Sequence, residues 1–385
     1  MAYFDYNATT PLNSLGRQAL MNALDESWAN PSSPYSASAR VHNVLENARK
    51  QLGIRLKKPP SEIVFTGGAT EANNAVIRFL AEQLPTDKTL ATSPFEHPSV
   101  VEAARHFFQD RVQVLKATKD GLIDLAHLDE VLKGGTVGAV SLMAVNNETG
   151  VIQPWQLAAQ SCDLAGVLFH CDASQWFGKC PNGEFGNCDF LTGCAHKFGG
   201  PKGVGFLALS GNSYGFNAQY GGGQESGKRG GTENVPSILS MVAALEDAES
   251  HLDQMNKQAA FRNEFELALE AIFPEVNCIG NSAARVPNTS FVVIPKYENL
   301  RYVRKLDLKG FQVSTGSACS TGETSTSPVL TALGYPSDDG RRSIRISSGP
   351  LTSEADWKGL TEAMVAVWRS LEEGGGSNGS EVISL

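Results

Sequence analysis

The sequence predicts an α/β protein, with a large domain around a mainly parallel sheet and a smaller α+β domain. Between about residues 38 and 210, short apolar segments alternate with helical patterns, and glycine or proline separates them, which is typical of a parallel sheet covered by helices. The chain has 385 residues. Because single hydrophobic cores stop growing at about 250 to 300 residues, we expect two domains.

Seven segments are strand candidates, since each is a short and mostly apolar run, as expected in a sheet that is covered on both faces. They are EIVF (62–65), TLATS (89–93), VQVLKA (112–117), VGAVSLMAV (137–145), GVLFHCD (166–172), DFLTG (189–193) and GVGFLAL (203–209). Helical patterns lie between them, for example at 39–52 and at 70–84, where Val76, Leu80 and Leu84 recur at helical spacing.

The domain limits follow from where this alternation stops. A long helix over about 235–258 is expected to end the large domain, which we place at 15–258. Residues 259–373 show helix, strand, strand, helix and helix patterns, and we assign them with 1–14 to the small α+β domain. The last residues, 374–385, begin with a Gly/Ser-rich stretch that is typical of a flexible tail.

Composition and charge exclude several classes of protein. Apolar residues make up 41% and charged residues 19%, which is typical of a folded globular chain. A net charge of −9 and the lack of a Lys/Arg run argue against a nucleic-acid surface. No segment reaches the roughly 18 apolar residues of a membrane span, and no signal peptide pattern precedes the first motif. We therefore expect a cytoplasmic protein that binds neither nucleic acid nor membranes.

The seven cysteines include no CxxC pair, and their odd number favours reduced thiols. Five of them lie between 162 and 194, but their spacings match neither zinc nor iron–sulfur sites. We therefore expect no metal site.

The segment CDFLTGCAHKFGGPKGVGFLAL (188–209) places Lys197 in a glycine-rich loop between two strand candidates, directly after His196 and before Gly199 and Gly200. A lysine can react with an aldehyde when a pocket holds it with a lowered pKa. Taken alone, the pattern also fits a solvated lysine in a surface turn. Evidence from other segments is needed to distinguish a reactive lysine from a solvated one.

Three further segments favour a reactive site. In TGGATEANN (66–74) the amides of Ala69 and Thr70 open a helix, where phosphate can bind, although the glycines could serve the turn alone. Asp172 follows a buried strand and needs a cationic partner, such as a protonated pyridine nitrogen. His97 follows another strand and can stack on a flat ring, although a purely structural histidine is the alternative.

Ten motifs occur in the order and spacing of one known family. They are YFDYNATTPL, NPSS, TGGATEANN, EHPSV, NNETG, HCDASQ, AHKFGGPKG, GGGQESGKRGGTENV, STGSACS and SIRISSG. Over about residues 3–370 the chain resembles the NifS- and IscS-like cysteine desulfurases, which belong to the class V aminotransferases. The resemblance implies a pyridoxal 5'-phosphate (PLP)-dependent transferase of fold type I, with a seven-stranded sheet and active sites at a homodimer interface. It also implies conversion of L-cysteine to L-alanine and delivery of the sulfur to a protein acceptor, such as an iron–sulfur scaffold or a thiolation carrier.

The resemblance further implies roles by motif position. Lys197 would form the Schiff base with PLP, Asp172 would pair with the pyridine nitrogen and His97 would stack on the ring. Asn147 and Gln175 would hydrogen-bond near the ring hydroxyl, and Asn147 also lies near the substrate.

Phosphate and substrate complete this set. Thr70 and His196 would bind the phosphate, Thr232 would reach the phosphate of the partner subunit, and Arg345 would hold the substrate carboxylate through its planar fork. The whole cofactor-binding set is Ala69, Thr70, His97, Asn147, Asp172, Gln175, Cys194, His196, Lys197 and Thr232.

The segment STGSACSTGETSTSPVLTALG (314–334) contains the predicted sulfur acceptor, Cys319. Its Gly, Ser and Thr neighbours predict an exposed loop, although free cysteines are often buried. An accessible thiol can ionise and attack sulfur. The catalytic residues would then be Lys197 as the base at the substrate Cα, Cys319 as the sulfur acceptor and His97 as a base for the incoming thiol.

Four positions depart from the family pattern. Cys194 stands in place of a phosphate-binding Ser, Ser226 in place of Arg, Tyr35 in place of His, and Pro350 in place of Arg. A thiol is a weaker hydrogen-bond donor than a hydroxyl, so we expect the exchange at Cys194 to change the affinity for the cofactor. Three other functions stay open at this point: selenocysteine lyase, another class V activity such as transamination, and a scaffold without catalysis.

Overall fold

The computed structural model describes residues 1–182, 185–316 and 327–374. The predicted sulfur acceptor Cys319 lies outside these residues, as does the predicted tail from residue 375 onward. In chain order the strands are β1 (Ala2–Tyr3), β2 (Ile63–Thr66), β3 (Thr89–Thr92), β4 (Val112–Val114), β5 (Val137–Met143), β6 (Leu168–Asp172), β7 (Phe190–Cys194), β8 (Gly205–Leu209), β9 (Asn277–Cys278), β10 (Thr289–Val293), β11 (Phe311–Gln312), β12 (Ser314–Thr315) and β13 (Ser343–Ser347).

The α-helices of the described residues connect and cover these strands. They are α1 (Ser14–Glu26), α2 (Ser36–Leu56), α3 (Ala69–Gln83), α4 (Pro98–Phe108), α5 (Leu125–Lys133), α6 (Trp155–Ala165), α7 (Val235–Ser250), α8 (Leu252–Ile272), α9 (Asn299–Leu308), α10 (Pro328–Ala332), α11 (Ser337–Gly340) and α12 (Glu354–Gly374). Within the described residues no helix has the length and apolar character needed to cross a membrane.

The central sheet has seven strands in the order β2-β8-β7-β6-β5-β3-β4. All neighbours in it are parallel except β8, which runs antiparallel to β2 and to β7. Each of the seven strand candidates forms one of these strands. The predicted α/β class with a mainly parallel sheet is confirmed.

Each face of the central sheet buries a separate apolar cluster. Helices α2, α5, α6 and α7 contribute residues such as Leu45, Leu128, Trp155 and Met241 to one face. Helices α3 and α4 cover the other face with residues such as Leu80. Because side chains alternate along a strand, neighbours such as Phe190 and Leu191 enter opposite clusters.

A second sheet has the order β12-β13-β10-β9, with antiparallel neighbours. It has its own apolar cluster, which includes Phe4 and Trp357. The N-terminal segment packs with this region, since β1 pairs with β11 and Asp5 forms a bridge with Ser347. Two sheets with separate cores agree with two domains, while the exact limits of the domains stay a prediction.

One predicted helix is wrong in its extent. The helix expected over 235–258 ends at Ser250, and a second helix begins at Leu252 and continues to Ile272. His251 separates them with φ −102° and ψ 12°, and its backbone N–H donates to the carbonyls of Ala248 and Glu249. Neither glycine nor proline marks this break, so the residue pattern contained no sign of it.

Candidate active site

A cavity of about 540 Å³ lies at the carboxyl ends of the central strands. Strands β5, β6 and β7 are mutually parallel neighbours that end at Met143, Asp172 and Cys194, and all three terminal residues line the cavity. This edge is where ligands bind in open α/β sheets. The predicted site residues that line the cavity are Ala69, Thr70, His97, Asn147, Asp172, Gln175, Cys194, His196, Lys197 and Arg345.

Two predicted residues are not in this group. Thr232 is exposed and does not line the cavity, and its predicted contact with a partner subunit stays a prediction. Cys319 lies outside the described residues. The roles of all the predicted site residues stay predictions, although the structure brings ten of them to one place.

Lys197 ends a short 3₁₀ helix, Ala195–Lys197, between β7 and β8. Its Nζ donates to the backbone carbonyls of Asn7 at 2.7 Å and Ala8 at 2.9 Å. The turn after it depends on glycine, since Gly199 has φ +93° and a Cβ on Gly200 would lie 2.6 Å from the Cβ of Ala195. The loop therefore holds the amine against the N-terminal segment at the cavity wall.

Asp172 is a buried carboxylate that receives only neutral donors in the structure. Its Oδ2 accepts from Nδ2 of Asn73 at 2.7 Å, and its Oδ1 accepts from the backbone N–H and the hydroxyl of Ser174 at 2.9 and 2.5 Å. Among the described residues, none forms an ion pair with it. The cavity wall thus presents a fixed negative charge that a cationic ligand group can neutralise.

His97 caps the N-terminus of α4 through its Nδ1, which accepts the backbone N–H of Ser99 at 3.1 Å. In the neutral imidazole the proton is therefore on Nε2. Burial lowers the pKa of His97, and the charge of Lys197 adds to this effect against that of Asp172. The ring is thus a neutral aromatic surface that offers an N–H donor.

The N-terminus of α3 forms another wall of the cavity. Gly68 precedes the helix with φ +143°, a conformation that side chains rarely adopt, and Ala69 and Thr70 form the first turn. Cys194 lines the cavity with these residues, and burial raises the pKa of its thiol to about 11. Because the amides of a first helical turn point outward and attract anions, this wall suits a phosphate.

His196 and Lys202 add to this anion-binding wall in different ways. Burial lowers the pKa of His196 to about 4, with contributions from the positive charges of Lys197 and Lys202. His196 is therefore neutral near pH 7, and its Nδ1 lies 3.2 Å from the hydroxyl of Thr9. Lys202 also lines the cavity and adds a positive charge to this wall. The sequence had not led us to predict Lys202 as a site residue.

Arg345 enters the cavity from β13 in the second sheet. Its Nη2 forms an ion pair with Oδ1 of Asp5 at 2.8 Å, and its Nη1 donates to the carbonyl of Asn147 at 3.2 Å. Its Nε is buried and has no hydrogen-bond partner among the described residues. The guanidinium therefore keeps capacity for another acceptor, such as a carboxylate.

Sequence reasoning missed Asn7 and Lys179, which join several site residues. Asn7 is 1% exposed, and its backbone carbonyl accepts from Nε2 of Gln175 at 2.9 Å as well as from Lys197. Lys179 is 3% exposed and donates to Oδ1 of Asn7 at 2.9 Å and to Oε1 of Gln175. Asn7 lies inside the motif YFDYNATTPL and Lys179 lies four residues after the motif HCDASQ, but nothing in their local pattern predicts these contacts.

Two buried acids also stand behind the cavity wall. Burial raises the pKa of Glu96 to about 8, although Ser93 and the backbone N–H of Met143 donate to it. Burial likewise raises the pKa of Glu148 to about 7, against the hydroxyl of Ser327 and the charge of Arg345.

Comparison with known proteins identifies the family that this fold and cavity define. The sequence model described as "Aminotransferase class-V" matches residues 2–360, so the chain belongs to the class V aminotransferase family. Members of this family are PLP-dependent.

Within that family its relatives are cysteine desulfurases. Cysteine desulfurase 2 of Trichormus variabilis is 34% identical over 357 residues, which cover 92% of this chain and 89% of the relative. A solved structure described as "NifS-like protein" has a TM-score of 0.88 and 29% identity, covering 96% of this chain and all of that one. A structure of "SspA in complex with cysteine" has a TM-score of 0.79 and 29% identity, covering 92% of this chain and 100% of that chain. The predicted resemblance is confirmed.

Proposed function

We propose that this chain is a PLP-dependent cysteine desulfurase, which converts L-cysteine to L-alanine and transfers the sulfur to Cys319 as a persulfide. The observation that carries the proposal is that three groups line one cavity. They are the amine of Lys197, the carboxylate of Asp172 and the guanidinium of Arg345, whose hydrogen bonds are incomplete. The cysteine desulfurases among the relatives support the same activity.

The residues of the cavity fit PLP in charge and in size. The carboxylate of Asp172 matches a protonated ring nitrogen, and the first turn of α3 with Lys202 matches a phosphate. A cavity of about 540 Å³ lies within the range of ordinary small-molecule sites, roughly 300–1,000 Å³. When bound at Lys197, PLP would supply an electron sink for charge that develops at the substrate Cα.

Lys197 and Arg345 are the groups that act on the amino acid. The backbone carbonyls of Asn7 and Ala8 orient Nζ of Lys197, and its neutral amine can take the proton from the substrate Cα. Arg345 binds the substrate carboxylate with the donor capacity that Asp5 and Asn147 leave open. The substrate is thereby fixed at one end while the proton is moved at its centre.

His97 and Cys319 are proposed for the sulfur end of the substrate. His97 supplies a flat neutral ring, and it can accept the proton of the substrate thiol only after its Nδ1 releases the N–H of Ser99. The Cys319 thiolate attacks the substrate sulfur, so that an S–S bond forms as the C–S bond breaks. The electron pair of the C–S bond remains with Cβ, which takes up a proton, and Lys197 returns a proton to Cα, so that alanine leaves.

We also propose a cytoplasmic homodimer that passes its sulfur to a protein acceptor, such as an iron–sulfur scaffold or a thiolation carrier. Met21 and Leu24 on α1 are each 54% exposed, and Trp28 just after it is 72% exposed. Contiguous exposed apolar residues are typical of interfaces, and Thr232 is exposed and free to reach a partner cavity. The cysteines in the described residues are free, as in proteins of a reducing compartment.

The test of this function is the fate of sulfur in a Cys319→Ser variant. After exposure to cysteine, we expect mass spectrometry to find one added sulfur atom on Cys319 of the parent, and alanine release to stop in the variant, because a hydroxyl cannot form a persulfide. Cys278→Ser, which changes a buried cysteine of the second sheet, is the matched control and should keep the parental activity.

Two results would overturn the proposal. One is alanine release at the parental rate by Cys319→Ser, and the other is a persulfide on a different cysteine, such as Cys194. A Lys197→Ala variant that keeps the yellow colour of a bound cofactor would show that the amine has been assigned wrongly.

A further inference from the structure

Lys179 is a buried lysine that lies beside the cavity and has no part in the proposed chemistry. It lies seven residues after the end of β6, and its Nζ contacts two amide oxygens, Oδ1 of Asn7 at 2.9 Å and Oε1 of Gln175. Within the described ranges, no carboxylate forms an ion pair with it. A neutral amine has two N–H donors, and these match the two amide oxygens.

The surroundings of Lys179 favour that neutral state. Burial lowers its pKa well below the usual value, and the charges of Lys197 and Arg345 lower it further. The thiols of Cys180 and Cys194 change the pKa of Lys179 in the opposite direction, and burial raises the pKa values of both thiols. The amine thus acts by donating hydrogen bonds rather than by its charge.

The two residues that accept hydrogen bonds from Lys179 belong to the hydrogen-bond network that holds Lys197. Nε2 of Gln175 donates to the backbone carbonyl of Asn7 at 2.9 Å, and this carbonyl is the one that accepts from Nζ of Lys197 at 2.7 Å. Lys179, Gln175 and Asn7 therefore form a closed ring of hydrogen bonds. The ring holds Asn7 at its side-chain oxygen and at its carbonyl, while the side-chain amide of Asn7 donates elsewhere, so the acceptor of Lys197 has little freedom to move.

We propose that Lys179 is a positioning residue, which acts through Asn7 and Gln175 to hold Nζ of Lys197 in its reactive place. The inference rests on the proposed function for the role of Lys197, and it goes beyond that function by assigning a second lysine to the site. A lysine with a structural role alone is available for comparison. Lys58 is also buried, and it donates to the backbone carbonyls of Cys188 at 3.0 Å and Gly186 at 3.4 Å, neither of which lines the cavity.

The first measurement uses the apoprotein, so it does not depend on turnover. Limited acetylation with acetic anhydride, followed by mass spectrometry, gives the reactivity of Lys197 relative to surface lysines. In Lys179→Met the side chains of Asn7 and Gln175 each lose a donor, so the Asn7 carbonyl is held less firmly, and we expect the relative labelling of Lys197 to rise about threefold or more. Lys58→Met should leave the labelling of Lys197 at the parental value, even where it lowers the melting temperature by a similar amount.

The second measurement uses the holoenzyme. Lys179→Met should lower kcat by about 10- to 100-fold, since small displacements of a reacting group have effects of this size. KM for cysteine should change much less, because Arg345 does not contact Lys179. Asn7→Ala removes the Oδ1 acceptor and keeps the backbone carbonyl, so it should shift labelling and kcat in the same direction, and the double variant should add little to either single change.

The outcomes separate this inference from the proposed function. Parental labelling of Lys197 and parental kcat in Lys179→Met, or in Asn7→Ala if the first variant does not fold, would show that Lys179 is merely structural. Equal effects of Lys58→Met and Lys179→Met on Lys197 would also overturn the inference. If the parent releases no alanine from cysteine, the proposed function fails, while the labelling of the apoprotein still decides the role of Lys179.

Discussion

Two buried arginines show how a structural ion pair differs from a binding group in this protein. Arg49 on α2 has a complete set of partners: Nη1 and Nη2 bind Glu225 at 2.6 and 2.8 Å, Nη1 also donates to the carbonyl of Ile63, and Nε binds Glu46 at 3.1 Å. Its guanidinium also stacks on Phe65 at 4.7 Å. All its donor nitrogens are occupied.

Arg345 is also buried, but it has an incomplete set of partners. It has one contact to Asp5 and one to the carbonyl of Asn147, and its Nε has no partner in the described part of the chain. Because a buried donor without an acceptor is unfavourable, such a group is retained where a ligand completes it. Since Arg78 and Arg342 also have an Nε without a hydrogen-bond partner among the described residues but do not line the cavity, incomplete hydrogen bonding indicates a binding group only together with a place at the cavity, as for Arg345.

The complete pair also supports strained backbone. Glu225 and the following Ser226, which replaces the Arg of the family pattern, both have positive φ, 49° and 56°. Left-handed conformations of residues other than glycine are unfavourable by roughly 1–2 kcal/mol each. Glu225 accepts from Arg49 and from the backbone N–H of Phe65 at 2.9 Å, which fixes this turn before Thr232.

Removal of the complete pair should have the largest effect, and that effect should be on stability. In Arg49→Met the carboxylate of Glu225 stays buried without its cation, so we expect the free energy of unfolding to fall by about 3–5 kcal/mol. Urea denaturation measures this change, and the slope m should stay constant. Activity per folded molecule should change only slightly. A large loss of kcat with the free energy of unfolding unchanged would show that Arg49 has a functional rather than a structural role.

Removal of the incomplete fork should affect catalysis instead. Arg345→Met removes charge-assisted hydrogen bonds to the substrate carboxylate, worth about 1.5–3 kcal/mol each. We expect kcat/KM for cysteine to fall by roughly 10- to 100-fold, with a much smaller change in the free energy of unfolding than in Arg49→Met. Arg345→Lys keeps the charge without the planar guanidinium, so its kcat/KM should lie between those of the parent and Arg345→Met. Parental kinetics in Arg345→Met would refute its role in substrate binding.

The smallest expected effect concerns Cys194, where the cavity contacts the first turn of α3. Its thiol is a poor hydrogen-bond donor, and it lines the cavity together with Ala69. Cys194→Ser should therefore bind PLP more tightly, by up to about 1 kcal/mol or about fivefold in Kd, as measured by cofactor retention in dialysis. Cys162→Ser, at a buried cysteine away from the cavity, is the control. Equal or weaker retention would indicate that the phosphate site is built around the thiol.

Much of the site was accessible from the sequence because its residues occupy fixed places in local motifs. Asp172 ends a strand, and Ala69 and Thr70 begin a helix, so each was placed by the pattern of its own segment, whereas Cys194 was identified only through the family motif. The break of the long helix at His251 was not accessible, since no residue there forces the chain to turn. A helix can end where packing requires it, and packing involves residues that are distant in the sequence.

By itself, the sequence determined the seven strands, the helix N-terminus at Ala69 and the glycine-rich loop that contains Lys197, because short-range hydrophobic patterns and glycines specify such elements. Only the tertiary structure decided which polar groups meet. Asp5 binds Arg345 from 340 positions away, and Lys179 reaches Asn7 across 172 positions. Such contacts depend on how the N-terminal segment crosses between the two sheets, and a local pattern contains no information about the partner of a buried polar atom.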